Sequence, residues 1–198
     1  MYFGKEKEQN SDRTPPNQRV TTGWPVLHVG NVPYYEKDLS NWDLRIGGLV
    51  DHPTVFSFKE LLTLPEASKR NDIHCVTGWS KFDNEWEGIA TRTIAEHVGI
   101  RKEAKFVMVE AEEGWTTNLP LEDFLAETSL LAYKHNGEVL TPEHGYPFRL
   151  VIPHLYFWKS AKWIRAIKFR SENQQGFWER NGYHMYGDPW KEQRFAWD

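Results

Sequence analysis

One cysteine in the whole chain is the strongest constraint on what it can fold into. Cys75 stands alone among 198 residues, so the fold has no internal disulfide and no cluster of cysteine ligands for zinc or for iron and sulfur. Three roles remain for the thiol: an inert part of the core, a nucleophile, or the single thiolate ligand of a cofactor metal. A chain of this length can bury one sizeable core, near the usual size of one domain.

Charge and composition argue against several classes of partner. The chain carries 24 basic and 28 acidic residues, a net charge of −4, which gives no general attraction to nucleic acid or anionic lipid. No apolar stretch approaches the roughly 18 residues needed to cross a bilayer, and the first ten residues contain no apolar signal core. With one cysteine, these features predict a cytoplasmic protein without membrane insertion. Aromatic residues make up 15% of the chain, including 10 tryptophans, and such rings are typical of pocket walls.

The chain divides into an arm and one domain. Residues 1–22 are polar and contain Pro15-Pro16, which predicts a mobile or loosely draped N-terminal arm. Residues 23–198 are predicted to form a single domain that includes the tryptophan-rich C-terminal tail.

Short elements alternate along that domain. Apolar periodicity predicts strands over Trp42–Gly47, Phe106–Val109 and Leu150–Ile152. Capping boxes predict helices that start at Ser57 and at Thr93, the second one ending at Gly99, and a further short helix is expected over residues 121–127. The predicted fold class is therefore α+β, a mixed and strand-rich single domain with short inserted helices.

The residues around Cys75 leave its role open. A lone cysteine is most often a small buried hydrophobe. His74 is its neighbour, but adjacent residues of a strand point to opposite faces, so a Cys–His nucleophile pair would need another histidine. A zinc site is also conceivable, although the candidate ligands lack the short spacings that zinc sites usually show; those candidates are Cys75, His28, His74, His144 and His154.

A second cluster carries positive charge. His144 and Arg149 flank a turn marked by Gly145 and Pro147, and a strand then leads to Lys159-Ser160-Ala161-Lys162. A guanidinium fork, ammonium groups and a hydroxyl suit a phosphate or a heterocycle with polar edges. A solvated basic strand edge explains the same residues. The residues alone do not decide between the two.

Several blocks together resemble the molybdopterin-binding domain of the sulfite oxidase family. They are Cys75-Val76-Thr77-Gly78-Trp79-Ser80, Trp86-Glu87-Gly88, His144-Gly145-Tyr146-Pro147-Phe148-Arg149 and Ser160-Ala161-Lys162-Trp163, in the family's order and separation. The resemblance extends from about Pro25 to the end, and the tail from Gly176 to Trp190 resembles that of small, stand-alone bacterial members.

The resemblance implies a Mo-molybdopterin cofactor, with one molybdenum per chain and Cys75 as its protein ligand and catalytic residue. By position in the family motifs, the pterin and its phosphate would be held by His144, Arg149, Ser160, Ala161 and Lys162. Asn31, Tyr35 and Glu36 resemble the stretch that touches the cofactor in the sulfoxide-reductase branch. Trp79 and Trp158 are expected to wall the pocket.

The resemblance also implies the reaction, an oxygen-atom transfer on a small oxo-compound such as a sulfoxide, sulfite or an N-oxide. The sequence departs from the sulfite-oxidising members, because Gly78-Trp79-Ser80-Lys81 stands where they place arginines. It also lacks a haem attachment motif, so a separate protein is expected to give or take the electrons. Two alternatives remain: a hydrolase or transferase with Cys75 as nucleophile, and a non-catalytic metal- or partner-binding module.

Overall fold

The computed structural model describes residues 12–198, which form two β-sheets with short helices between the strands. The strands are β1 (Arg19–Val20), β2 (Asp43–Gly48), β3 (Thr54–Ser57), β4 (Glu66–Cys75), β5 (Trp79–Ala90), β6 (Phe106–Ala111), β7 (Thr116–Pro120), β8 (Leu130–His135), β9 (Glu138–Val139), β10 (Arg149–Val151) and β11 (Ile164–Arg170). The α-helices are α1 (Phe58–Leu61), α2 (Thr91–Val98), α3 (Leu121–Phe124) and α4 (Phe177–Arg180). This is the mixed, strand-rich α+β fold that the sequence predicts.

The first sheet is built around the long strand β5. One edge of β5 pairs with β4 in an antiparallel hairpin, and the other edge pairs with β1 at its start and with β8 near its end. Strand β8 in turn pairs with β9 and β10. The hairpin register sets Cys75, the last residue of β4, opposite Trp79, the first residue of β5.

The second sheet has the order β3-β2-β11-β6-β7, in which β2 and β11 are parallel and the other neighbours antiparallel. The main core lies between the two sheets, with Ile46 and Ile167 from the second sheet packed in one buried cluster with Ile89, Leu131 and Leu150 from the first. Because side chains alternate along a strand, the first sheet has a second buried face. That face contains Ile73, Cys75, Trp79, Trp86 and Val151.

Some of the predicted strands and helix starts are present in the structure, and one is not. The strands near Trp42, Phe106 and Leu150 are present, and the capping box at Ser57 is formed, with the Glu60 carboxylate accepting from the Ser57 backbone at 2.7 Å. The second capping box is wrong. Helix α2 starts at Thr91, directly after β5, and the Thr91 hydroxyl donates to the carbonyl oxygens of Phe124 and Ser129, so tertiary contacts fix the start two residues before the predicted one.

Of the two helix ends predicted from local sequence signals, one is correct and the other is too late. Gly99 ends α2 at φ +64°, as predicted. The helix predicted over residues 121–127 is shorter, since α3 spans only Leu121–Phe124. After α3 the chain continues into a turn, in which the Ser129 hydroxyl donates to the Asp123 carbonyl at 2.6 Å.

The predicted arm falls partly inside the described part of the chain. Residues 1–11 lie outside it. Further on, Arg13 forms an ion pair with Asp72 at 2.6 Å, its guanidinium lies 4.4 Å from the centre of the Phe82 ring, and Arg19–Val20 add a short parallel strand to the start of β5. The described part of the arm therefore packs against the β4–β5 hairpin, whose first strand ends at Cys75. Over residues 12–198, none of the helices is long and apolar enough to span a bilayer.

Candidate cofactor site

Cys75 sits at the tip of the β4–β5 hairpin. The turn after it is closed by the Gly78 backbone N–H donating to the Cys75 carbonyl at 3.0 Å, and Gly78 takes φ +93°, a conformation that favours glycine. The thiol sulfur lies 3.1 Å from the Thr77 hydroxyl. Only 8% of the residue is exposed, and this burial raises the pKa of the thiol. The hairpin thus holds a protonated thiol in a fixed position.

His74 is not a partner for this thiol. Its imidazole Nδ1 lies 2.8 Å from the Ser80 hydroxyl, on the opposite face of β4, and burial lowers its pKa to about 4. Within residues 12–198, no three or more His, Cys, Asp or Glu side chains come together in a way that could hold a metal ion. The arrangement therefore does not support the Cys–His pair with His74 or the zinc alternative.

The thiol faces a cavity of about 310 Å³. The cavity lies on the second buried face of the first sheet and is completed by the start of β7 and by the loops before and after β10. Six of the nine residues that the sequence predicts for the site line it: Cys75, His144, Arg149, Ser160, Ala161 and Lys162. Trp79 and Trp158 line it as well, as predicted. The fold therefore brings the thiol and the basic cluster, which are far apart in sequence, to one cavity.

Arg149 is the main positive charge of this cavity. Its guanidinium donates to the carbonyl oxygens of His144 and Ser160, both at 2.9 Å, and lies 4.3 Å from the centre of the Phe157 ring. Among the described residues, no carboxylate forms an ion pair with it. Burial lowers the pKa of Arg149 to about 9, so the side chain is still charged at neutral pH. A buried cation without an anion is costly unless a ligand supplies the negative charge.

Lys162 adds a second cation beside Arg149. Its ammonium donates to the carbonyl oxygens of Leu27, at 3.0 Å, and Glu143, at 2.8 Å. Burial, and then the charge of Arg149, lower the pKa of Lys162 to about 7. The close approach of the two side chains requires Gly145, where a Cβ atom would lie 3.0 Å from the Arg149 Cβ and 3.1 Å from the Lys162 Cβ.

His144 presents an unused polar atom. Its Nδ1 lies 3.1 Å from the Thr141 hydroxyl, whereas its Nε2 is buried and has no hydrogen-bond partner in the described structure. The ring stacks on Trp24 with 3.8 Å between ring centres. Burial, followed by the charge of Arg149, lowers the pKa of His144. The imidazole is thus neutral and available to a polar ligand.

Ser160 and Ala161 shape the loop that carries these groups. The Ser160 hydroxyl accepts from the Ile152 backbone N–H at 2.9 Å, and the Ala161 carbonyl accepts from the Leu150 N–H at 2.8 Å. Both residues line the cavity. Their observed contacts fix the loop against β10.

Three predicted residues lie away from this cavity. Asn31 and Glu36 are exposed, and Tyr35 lines a neighbouring polar pocket, where its hydroxyl donates to Glu112 at 3.3 Å. The two pockets share Ala111 in their walls. The predicted contacts of Asn31, Tyr35 and Glu36 with the cofactor stay predictions.

Several lining residues carry no signal in the sequence. They come from the start of β7 and from the tail, and they are Trp115, Thr116, Thr117, Trp178 and Tyr183. The hydroxyls of Thr116 and Thr117 and the Trp79 indole N–H are buried without partners in the described residues. The abundance of tryptophan indicates a walled pocket, but no spacing identifies these members.

The site fits a ligand that is anionic at one end and has a heterocycle with polar edges. Arg149 supplies a positive charge that no carboxylate of the described residues pairs with, Lys162 adds an ammonium group beside it, and His144 Nε2 offers a buried hydrogen-bonding atom without a partner in the described structure. Cys75 supplies a soft sulfur ligand in the same cavity. The residues present therefore fit a phosphorylated pterin with a soft metal.

The comparisons with known proteins agree with the family resemblance found in the sequence. The sequence model of the oxidoreductase molybdopterin-binding domain family matches residues 29–178. The chain is 64% identical to the uncharacterized oxidoreductase YuiH of Bacillus subtilis, over 100% of both chains. It is 27% identical to the putative protein-methionine-sulfoxide reductase subunit YedZ1 of Azospira oryzae, over 87% of this chain and 66% of that protein. It is also 27% identical to the sulfite oxidase of Arabidopsis thaliana, over 79% of this chain and 49% of that enzyme.

A solved structure shows the same fold. The crystal structure of the sulfane dehydrogenase SoxCD from Paracoccus pantotrophus matches with a TM-score of 0.68 and 24% sequence identity, over 78% of this chain and 43% of that chain. The chain spans the whole Bacillus relative but only about half to two thirds of the length of the Arabidopsis and Azospira relatives. Because the family match covers most of the chain, the resemblance drawn from the sequence is confirmed: the chain belongs to the oxidoreductase molybdopterin-binding domain family and is an oxidoreductase of the sulfite oxidase type.

Proposed function

We propose that the chain binds one Mo-molybdopterin and catalyses oxygen-atom transfer on a small oxo-compound, exchanging electrons with a separate protein. One observation carries the proposal: the only thiol of the chain opens into the same cavity as a buried arginine that has no anionic partner among the described residues. A ligand with a metal at one end and a phosphate at the other would use both groups.

The geometry supports the following binding roles. Cys75 would be the metal ligand: the positive charge of the metal would favour the thiolate and so oppose the burial that raises the pKa of the thiol. Arg149 and Lys162 hold the phosphate, and His144 Nε2 bonds an edge of the pterin. Ser160 and Ala161 keep the carrying loop in place. When bound, the molybdenum supplies two-electron chemistry in which an oxygen atom is gained or lost.

We take Tyr183 as the candidate to act on a substrate oxygen. It lines the cavity, and its hydroxyl forms no hydrogen bond with any residue of the described structure. Burial raises the pKa of Tyr183, and Cys75 adds to this effect when its thiol is deprotonated. The phenol thus stays protonated and can donate a hydrogen bond, or a proton, to an oxygen atom near the metal.

The electron partner and the compartment belong to the same proposal. The described residues contain no group of three or more His, Cys, Asp or Glu side chains that could hold a further metal ion, and we infer that the electrons cross from a partner protein. A reducing cytoplasm fits the single cysteine. Fractionation of cells with an antibody to the chain tests this, and recovery outside the cytoplasm would contradict it.

Elemental analysis of protein purified from a cofactor-producing host tests the function. We expect close to one molybdenum per chain in the wild type and redox turnover that Cys75→Ser abolishes without unfolding. Arg149→Ala should lower the molybdenum content, whereas the control Arg101→Ala, on the surface beside Asp51, should not. Activity in the absence of molybdenum, together with labelling of Cys75 by thiol reagents, would indicate a nucleophilic cysteine instead. A folded wild type without bound metal would indicate a non-catalytic module.

A further inference from the structure

The turn that carries Cys75 is held by two distant segments of the chain. The Cys75 carbonyl accepts two hydrogen bonds at 3.0 Å, one from the Gly78 backbone N–H inside the turn and one from the Gln18 side-chain amide of the N-terminal arm. The next carbonyl, that of Val76, accepts from Nη1 of the Arg194 guanidinium in the C-terminal tail. The two carbonyl groups are thus bound by side chains that lie 57 and 118 positions away in sequence.

The arm and the tail also contact each other beside this turn. The side-chain amide of Asn17, the neighbour of Gln18, donates to the Glu192 carboxylate at 2.6 Å. The backbone N–H of Arg19 donates to the Gly78 carbonyl at 3.0 Å, which ties the arm to the end of the turn. Arm, turn and tail are therefore linked to one another by hydrogen bonds, so a loss of either side-chain contact should loosen the turn.

Arg194 is itself fixed by several contacts. Its carbonyl accepts from the His184 backbone N–H at 3.2 Å, and the Asp198 carboxylate accepts from the backbone N–H groups of Arg194, at 2.9 Å, and Phe195, at 2.6 Å. The guanidinium lies 5.0 Å from the centre of the fully buried Tyr156 ring. The tail thus holds the guanidinium in one place against the turn.

The charge of Arg194 is only partly compensated. Its Nη2 is buried and has no hydrogen-bond partner in the described structure. The Glu192 carboxylate lies 4.0 Å from this nitrogen, but 38% of the Glu192 side chain is exposed, against 16% of that of Arg194, so solvent screens the carboxylate more. The segment from Cys75 to Ser80 contains no lysine or arginine. Arg194 therefore supplies the turn with a positive charge that the sequence around the thiol lacks.

We propose that Gln18 and Arg194 are positioning residues for the metal-binding thiolate of Cys75. The inference rests on the proposed function and deepens it. Their hydrogen bonds restrict the orientation in which the sulfur meets the metal, because the turn cannot shift while both carbonyl groups are bound. The charge of Arg194 has a second effect: a cation close to a metal–thiolate centre favours the state with more electrons and therefore raises the reduction potential.

Redox titration of molybdenum-loaded protein, followed by electron paramagnetic resonance of the one-electron-reduced metal, tests the effect of charge. Arg194→Gln keeps an amide donor but loses the charge, whereas Arg194→Lys keeps the charge. We expect a lower midpoint potential in Arg194→Gln and a wild-type potential in Arg194→Lys. The control Arg101→Gln, on the surface beside Asp51, should also leave the potential unchanged. A wild-type potential in Arg194→Gln, or an equal decrease in both Arg194 variants, would overturn the role of the charge.

The same spectra test the effect on orientation. The wild type should show one signal, and so should the control Gln174→Leu, which replaces an exposed glutamine. Gln18→Leu should show at least one additional signal, because the released turn allows more than one orientation of the Cys75 sulfur at the metal. A spectrum of Gln18→Leu identical to that of the wild type would overturn the positioning role of Gln18.

Hydrogen exchange of the full-length protein without cofactor separates this inference from the proposed function. The Gly78 amide should exchange about fivefold faster in Gln18→Leu and in Arg194→Met than in the wild type, the factor that corresponds to one hydrogen bond, and Gln174→Leu should show the wild-type rate. Equal rates in all four proteins, with molybdenum present in the wild type from a cofactor-producing host, would overturn this inference alone. A wild type that never holds molybdenum would refute the proposed function, whatever the exchange rates.

Discussion

The ionisation of Lys162 leads to a quantitative prediction about anion binding. Burial and the charge of Arg149 lower the pKa of Lys162 to about 7, against a smaller opposing effect of Glu143. A bound anion favours the charged ammonium, so binding at higher pH requires proton uptake. The affinity should therefore follow the protonated fraction of Lys162, which is high at pH 6 and falls about tenfold by pH 8, equal to about 1.4 kcal/mol of binding free energy.

Sulfate is the suitable probe, because its own charge is constant over this range, and calorimetry on cofactor-free protein is the assay. His28 is replaced by glutamine in every protein compared, and burial already lowers the pKa of His144, so Lys162 dominates the titration. Lys162→Arg, which stays charged, should bind sulfate with little dependence on pH. Wild-type affinity that does not change between pH 6 and 8, or an equal slope in Lys162→Arg, would refute the reasoning.

Two further predictions concern stability. Gly88→Ala places a Cβ 1.9 Å from the Leu131 carbonyl oxygen of the neighbouring strand, so it should destabilise the protein by about 3 kcal/mol, measured as a lower urea midpoint of unfolding. Gly47→Ala is the control, because no atom lies within 4 Å of the added Cβ. Equal urea midpoints for the two variants would contradict the packing. Lys159→Met leaves the Glu179 carboxylate buried without its cation and should cost about 3–5 kcal/mol. The double variant Lys159→Met/Glu179→Gln should recover part of that loss, and no recovery would argue against the ion pair.

The sequence predicts the features that depend on neighbours in the chain. The strand near Leu150, the capping box at Ser57 and the stop at Gly99 each follow from a few adjacent residues. The start of helix α2 is mispredicted because the Thr91 hydroxyl is fixed by carbonyl groups more than 30 residues away, and no local pattern encodes such a contact.

The residues of the site also fall into two groups, those that short motifs predict and those that long-range contacts bring to the cavity. Family motifs locate Cys75 and the basic residues, since these lie in short recognisable blocks. Tyr183 and Trp178 escape prediction because they reach the cavity through the tail, which is held by the Lys159–Glu179 pair and by the contact between Arg194 and the Val76 carbonyl. Such long-range contacts become visible only in the folded structure.

Molybdenum K-edge X-ray absorption of the loaded protein tests the central claim most directly, that Cys75 sulfur binds the metal. We expect Cys75→Ser, purified with its metal, to show one sulfur ligand fewer than the wild type and no redox turnover. An identical sulfur shell in the two proteins, or full turnover by the variant, would contradict it.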